Sequence, residues 1–153
     1  MLKIVLAADN HGRIEPLQRI LNENPQADYY LHAGDSCLDP ERIRPFASVR
    51  GNNDYGYDYP DLRIMELCGH RILLFHGTHQ AYFDEALADF ALNRNTDVVF
   101  FGHTHCFQDN ECNGIRLINP GSCYRSREIA GPSYARVYIE DDGNIQVERV
   151  SLL

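Results

Sequence analysis

Apolar residues in this chain come in short runs, and each run stops at a polar or ionisable side chain. Leu2 to Ala8 is the first. It runs straight into Asp9 and predicts a strand rather than a signal segment. Ile14, Leu17, Ile20 and Leu21 recur at helical spacing, with Pro16 tolerated in a first turn. Asp28 to Ala33 predicts a second strand, Pro40 to Phe46 a short helix opened by its proline, and Ala47 to Arg50 a brief strand. Tyr55 to Pro60 predicts an ordered surface loop. Leu62 to Leu67 and Arg71 to Phe75 flank Cys68-Gly69-His70 as a hairpin-like pair, which leaves His70 facing solvent.

The clearest helix spans about Gln80 to Asn93, where Phe83, Ala86, Leu87, Phe90 and Ala91 form one apolar face. Asp97 to Phe101 is a β-branched and aromatic run, hence a buried strand. Beyond it only strands are predicted: Cys106 to Glu111, Ile115 to Asn119, Tyr134 to Glu140 and Ile145 to Val150, with Asp142-Gly143 turning the last pair. Residues 120–133 form the longest loop. A βαβ half followed by a β-rich half predicts an α/β fold, a four-layer α/β/β/α sandwich of two mixed β-sheets flanked by helices. The length, 153 residues, predicts a single domain over residues 1–153.

Composition narrows the function. The net charge of −8, with no basic run, argues against an extended nucleic-acid face, and no segment is long enough to span a bilayer. Five cysteines form no C-x-x-C pair, so a disulfide framework is not expected and the cytoplasm is the expected location. An acidic protein can still bind phosphate if metal ions supply the positive charge.

The candidate chemistry lies where the runs end. Asp9 and His11 follow the first, Asp35 the second, Asn52 the short third, His76 another, and Gly102-His103-Thr104-His105 the strand at 97–101. Two imidazoles two residues apart point the same way only in extended or looped backbone, since a helix turns them apart. Singly, Asp9-x-His11, Gly34-Asp35 and Gly51-Asn52-Asn53-Asp54 read as caps and turns, and His76 as a buried histidine. Five such coincidences in order along one chain point to a single metal centre. The C-terminal ends of strands are where open α/β sheets place their chemistry.

The series Asp9-x-His11, Gly34-Asp35, Gly51-Asn52-x-Asp54, His76-Gly77 and Gly102-His103-x-His105 resembles the calcineurin-like metallophosphoesterase superfamily, in its small single-domain prokaryotic phosphodiesterase branch. Asn119-Pro120-Gly121-Ser122 is similar to a later loop of that branch, and only the C-terminal hairpin lacks a diagnostic motif. The resemblance implies that Asp9, His11, Asp35 and His105 hold one metal and Asp35, Asn52, His76 and His103 a second, with Asp35 bridging. Carboxylate, amide and imidazole donors without thiolate suit Mn²⁺, the first expectation, or Fe, Co²⁺, Ni²⁺ or Zn²⁺. Two such ions roughly 3.5–4 Å apart can share a hydroxide and clamp an in-line displacement at phosphorus.

The implied substrate is a small phosphodiester, with weak or no action on monoesters. His103, Asp35 and Asn52 are the expected catalytic residues, and Asn53, His79 and Ser122 the expected substrate contacts. Many superfamily members carry a histidine where this chain has Asn53. His32 reads equally as a support for the ligands or as a packed core histidine. Arg125 and Arg127 read as solvated surface or as contacts to a substrate phosphate. Backbone amides near Gly121-Ser122 are candidates to cradle phosphate oxygens. The rivals are a non-catalytic scaffold of the same fold, resembling the retromer subunit, and a metallohydrolase of non-phosphate esters or amides. The intact ligand set argues against the first, the Asn52 ligand and motif order against the second. Self-association into a homo-oligomer stays open.

Overall fold

The computed structural model describes all residues, 1–153. Its elements run in chain order β1 (Leu2–Ala7), α1 (Glu15–Glu23), β2 (Tyr29–His32), β3 (Ala47–Ser48), β4 (Leu62–Leu67), β5 (His70–Phe75), α2 (Asp84–Leu92), β6 (Val98–Phe100), β7 (Phe107–Cys112), β8 (Ile115–Pro120), β9 (Ser133–Ile139) and β10 (Ile145–Ser151). They build two five-stranded mixed sheets, ordered β10-β9-β1-β2-β3 and β4-β5-β6-β8-β7. Strands β1, β2 and β3 are parallel in the first sheet, and β5, β6 and β8 in the second. Antiparallel strands complete each sheet: β9 and β10 on one side of the first, β4 and β7 at the two edges of the second.

The alternation of side chains along each strand divides the interior into three cores. Ile4 and Leu6 of β1 face the other sheet, joining Ile72 and Leu74 of β5, Val98 and Phe100 of β6, and Ile118 of β8. Val5 and Ala7 point the opposite way, onto Leu17 and Ile20 of α1. On the far side, Leu73, Phe75, Val99 and Leu117 pack against Leu87, Ala88 and Ala91 of α2. The layers are therefore helix, sheet, sheet, helix, as the pattern predicts. The central strands are buried on both faces and read as unbroken apolar runs for that reason.

Several boundaries differ from expectation. The predicted helix at Pro40 is a single 3₁₀ turn, Pro40–Ile43, and β3 pairs with β2 over only two residues. Helix α2 begins at Asp84, not Gln80, because Gln80 and Ala81 close turns onto the Gly77 carbonyl. Phe83 consequently sits before the helix and is 67% exposed, while Ala88 replaces it on the buried face. His70 is half-buried rather than free in solvent: it opens β5, its Nδ1 2.6 Å from Asp97 Oδ2 and its Nε2 2.6 Å from the Gly143 carbonyl.

Candidate metal centre

Every predicted ligand lies in a loop leaving the C-terminal end of a parallel strand. Asp9 and His11 follow β1, Asp35 follows β2, Asn52 follows β3, His76 follows β5, and His103 and His105 follow β6. Five of the seven, Asp9, His11, Asp35, His103 and His105, have positive φ between 45° and 72°. Left-handed backbone is costly for residues other than glycine and concentrates where the surroundings impose it. Two glycines show why the loops can close so tightly. A Cβ on Gly51 would stand 2.1 Å from Asp35 Oδ1, and one on Gly34 would stand 2.7 Å from His76 Nδ1. The glycine before Asp35 and the one before Asn52 are required by close approach.

The side chains converge in two groups. In the first, His11 Nε2 is 3.1 Å from His105 Nε2, and Asp9 Oδ1 is 3.9 Å and 3.6 Å from these two nitrogens. In the second, His76 Nε2 is 3.0 Å from Asn52 Oδ1, and His103 Nδ1 lies 3.2 Å from both. Asp35 Oδ2 stands between them, 3.4 Å from His76 Nε2 and 3.9 Å from His11 Nε2. Asp9 Oδ1 also reaches the second group, 3.9 Å from His76 Nε2.

Protons are short at this convergence. His76 Nδ1 donates to the Ala33 carbonyl at 2.8 Å and His105 Nδ1 to the Arg125 carbonyl at 2.7 Å. With Nδ1 of each ring given to a carbonyl, Nε2 is the nitrogen turned inward and free to meet a cation when the ring is neutral. Asn52 adds a carbonyl oxygen, and Asp9 Oδ1 is buried with no hydrogen-bond partner at all. An unpaired buried carboxylate oxygen is expensive unless a cation meets it. Burial alone would raise the Asp35 pKa, but the neighbouring His76 imidazole and the two hydrogen bonds from Asn53 hold it well below the usual carboxylate range. Lone pairs facing one another, with an anion among them, form a donor set that fits divalent cations.

The surroundings hold the donors in place. Asp54, itself buried, accepts the N–H groups of Asp35, Cys37 and Gly51 at 2.9, 2.8 and 2.7 Å. His32 is fully buried, and desolvation pushes its pKa down to about 4, so it stays neutral. It accepts from Gly34 N–H at Nδ1 and donates from Nε2 to Asn10 Oδ1, tying the Asp9 loop to the Asp35 loop. His32 thus supports the loops that carry the predicted ligands, and Asn10 is a support that sequence reading missed.

Of the expected substrate contacts, His79 is exposed and lines a groove of about 470 Å³ together with Asn52 and His76. Asn53 turns toward Asp35, donating its N–H to Oδ1 at 2.8 Å and its amide to Oδ2 at 2.9 Å. Ser122 is buried. Its hydroxyl donates to the Asp9 carbonyl and accepts from the N–H groups of Tyr124 and Arg125. The Gly121 and Cys123 amides are spent on Asn119 Oδ1 and the Ala8 carbonyl, so neither is free for a phosphate oxygen.

The family model of the calcineurin-like phosphoesterase superfamily domain matches residues 2–142. The chain belongs to that superfamily. A probable metallophosphoesterase of Bacillus subtilis (strain 168), YsnB, is 31% identical over 147 residues, covering 92% of this chain and 86% of its own. The crystal structure of a predicted phosphoesterase from Streptococcus pneumoniae TIGR4 superposes with a TM-score of 0.80 at 23% identity, covering 97% of both chains. A protein described as a novel archaeal phosphodiesterase gives 0.73 at 20% identity, covering 97% of this chain and 100% of its own. Vps29 from Entamoeba histolytica, crystallised with zinc, gives 0.74 at 22% identity, covering 97% and 98%. The superfamily is metal-dependent, and this member is a metallophosphoesterase. No helix is long and apolar enough to cross a membrane.

Proposed function

We propose that this metallophosphoesterase hydrolyses small phosphodiesters with two divalent transition-metal ions, Mn²⁺ before Fe²⁺, Co²⁺, Ni²⁺ or Zn²⁺. Asp9, His11, Asp35 and His105 would hold one ion and Asp35, Asn52, His76 and His103 the other. The observation that carries this reading is the convergence of these seven side chains in two adjoining groups, with the unpaired Asp9 Oδ1 within 3.9 Å of His11, His76 and His105, and Asn52 and His103 against His76. The zinc-bound Vps29 and the archaeal phosphodiesterase share the fold and lend support. Two divalent ions in such a site supply positive charge and the acidification of water that makes a nucleophile near neutral pH.

The protein's own groups do the rest. Asp9 and Asp35 are the only anionic donors, so the loaded site keeps net positive charge and draws a phosphodiester despite an overall charge of −8. Asp9, Asp35, His76 and His105 are buried, whereas Asn52 is exposed and His103 half-buried. The substrate therefore approaches from the side of Asn52 and His103, beside the groove that His79 lines. Asn53 steadies the Asp35 carboxylate, and Ser122 steadies the Asp9 loop. An amide exchanges no proton near neutral pH, so Asn53 cannot protonate a departing alkoxide. Diesters with good leaving groups are favoured over alkyl phosphomonoesters. Free cysteines throughout fit a cytoplasmic enzyme.

The test is metal analysis of the purified protein beside a panel of phosphomono- and diesters, assayed with each of the five metals. Two ions per chain with diester turnover is the expected result. No diester turnover with any metal would overturn the reading.

A further inference from the structure

The rim of the centre carries a feature that none of the ligand roles uses. Tyr82 is 57% exposed, and its ring centroid lies 5.6 Å from that of His103 at 76°, edge to face. Arg127 reaches across from the 120–133 loop and donates from Nη1 to the Tyr82 hydroxyl at 2.6 Å. The same loop is fastened to the other histidine of the motif. His105 Nδ1 donates to the Arg125 carbonyl, and Arg127 N–H donates to the His105 carbonyl at 3.1 Å. Two loops thus meet over His103 and His105, and what they present outward is an aromatic ring with a guanidinium at its edge.

An exposed ring fixed at its hydroxyl end loses little freedom when a second planar group lies on it. A guanidinium carries five N–H donors, and the bond to Tyr82 uses one. In a chain of net charge −8, such a cation beside a phosphate site serves an anion better than it serves solubility. We infer that Tyr82, braced by Arg127, is a specificity-determining wall that selects phosphodiesters carrying a planar aromatic arm, aryl or nucleoside. This rests on the phosphodiesterase reading and adds the substrate class.

The test compares binding of phenylphosphonate and methylphosphonate by calorimetry to the metal-loaded wild type and to Tyr82→Ala, Tyr82→Phe and Arg127→Gln. Aromatic pairing predicts that the wild type binds the phenyl compound roughly 3- to 10-fold more tightly. Tyr82→Ala should erase that preference, Tyr82→Phe and Arg127→Gln, which both lose the brace, should keep only part of it, and Arg127→Gln should in addition weaken both compounds. The phenyl preference is a readout that a merely structural role for Tyr82 would leave unmoved. An equal preference in wild type and Tyr82→Ala, or none in the wild type, overturns the inference. Hydrolysis of bis(4-nitrophenyl) phosphate by the wild type tests the parent reading separately. Turnover without a phenyl preference removes only the wall, whereas absent turnover removes the reading beneath it.

Discussion

The carboxylate of Asp54 accepts the backbone N–H of Asp35 at 2.9 Å, so one aspartate sets the backbone of another. Asp54 also accepts from Gly51 at 2.7 Å and Cys37 at 2.8 Å, which locks the Asp35 loop onto the Asn52 loop. Asp35 has a φ of 59°, a conformation it would leave if released. Asp54→Asn turns one accepting oxygen into a donor facing N–H groups. Hydrogen bonds to a charged acceptor contribute about 1.5–3 kcal/mol each, and they do not add. We expect a loss of ~3 kcal/mol, read as a fall in Tm of roughly 6–12 °C. Metal affinity should fall with it. A variant that melts within a degree of wild type would show that the loop holds itself.

Asp9 gives a test of the metals that needs no substrate. Its Oδ1 is buried without a partner, so a bound cation should stabilise the fold through that oxygen. Ligand linkage is worth about 2.7 kcal/mol when free metal is 100 times its Kd, or roughly 5–11 °C in Tm for a chain of this size. Wild type should melt higher in Mn²⁺ than after treatment with a chelator. Asp9→Asn should lose most of that difference while its chelated form melts close to wild type, because an amide is a weaker ligand but fills the same space. An unchanged metal response in the variant would take Asp9 out of the ligand set.

His70 makes stability depend on pH at a place remote from the metals. Both ring nitrogens face acceptors, Asp97 Oδ2 and the Gly143 carbonyl, so the doubly protonated ring fits best. Burial opposes that charge, but the Gly143 and Asp97 contacts outweigh it and the pKa is raised. A raised folded pKa means the contribution is complete below the unfolded value of about 6.5 and is lost as pH climbs through the folded value. Wild type should therefore exceed His70→Gln by ~1 kcal/mol, or 2–4 °C, near pH 5.5, with the gap narrowing toward pH 8.5. A gap that widens with pH would reverse the assignment.

How much was legible in the sequence follows from where each signal resides. The seven proposed donor positions are legible because, although each alone is an ordinary turn residue or buried histidine, five such strand ends fall in one order along the chain and that order repeats a family pattern. The sheets show because strands buried on both faces must be continuously apolar. Asp54 looks like a turn residue, and nothing in Gly51-Asn52-Asn53-Asp54 says that its carboxylate serves a loop nineteen positions earlier. Ser122 and His70 fail for the same reason. Their partners, Asp9 at a separation of 113 residues and Gly143 at 73, are set by the packing of distant elements and leave no local trace. Phe83 misled because its spacing fits the α2 stripe, whereas turns onto Gly77 delay the helix until Asp84.

Asn53 supplies the last prediction, because its side chain has a visible occupation. Both its N–H and its amide are committed to the two oxygens of Asp35, at 2.8 and 2.9 Å. It can hold a ligand in place but has no proton to pass to a leaving oxygen. General acid catalysis is typically worth ~10²–10⁴-fold, and the deficit grows with the basicity of the departing group. Wild type should hydrolyse aryl diesters well and alkyl diesters poorly, a steep dependence on leaving-group pKa. Asn53→His keeps a ring N–H within reach of Asp35 and adds a group that titrates near neutral pH. That variant should gain mainly on alkyl esters and flatten the dependence, with aryl turnover changed by less than ~10-fold, since 1.4 kcal/mol covers the altered grip on Asp35. Parallel slopes for the two proteins would mean that Asn53 only shapes the turn and that the proton comes from elsewhere, with His103 at the rim the next residue to replace.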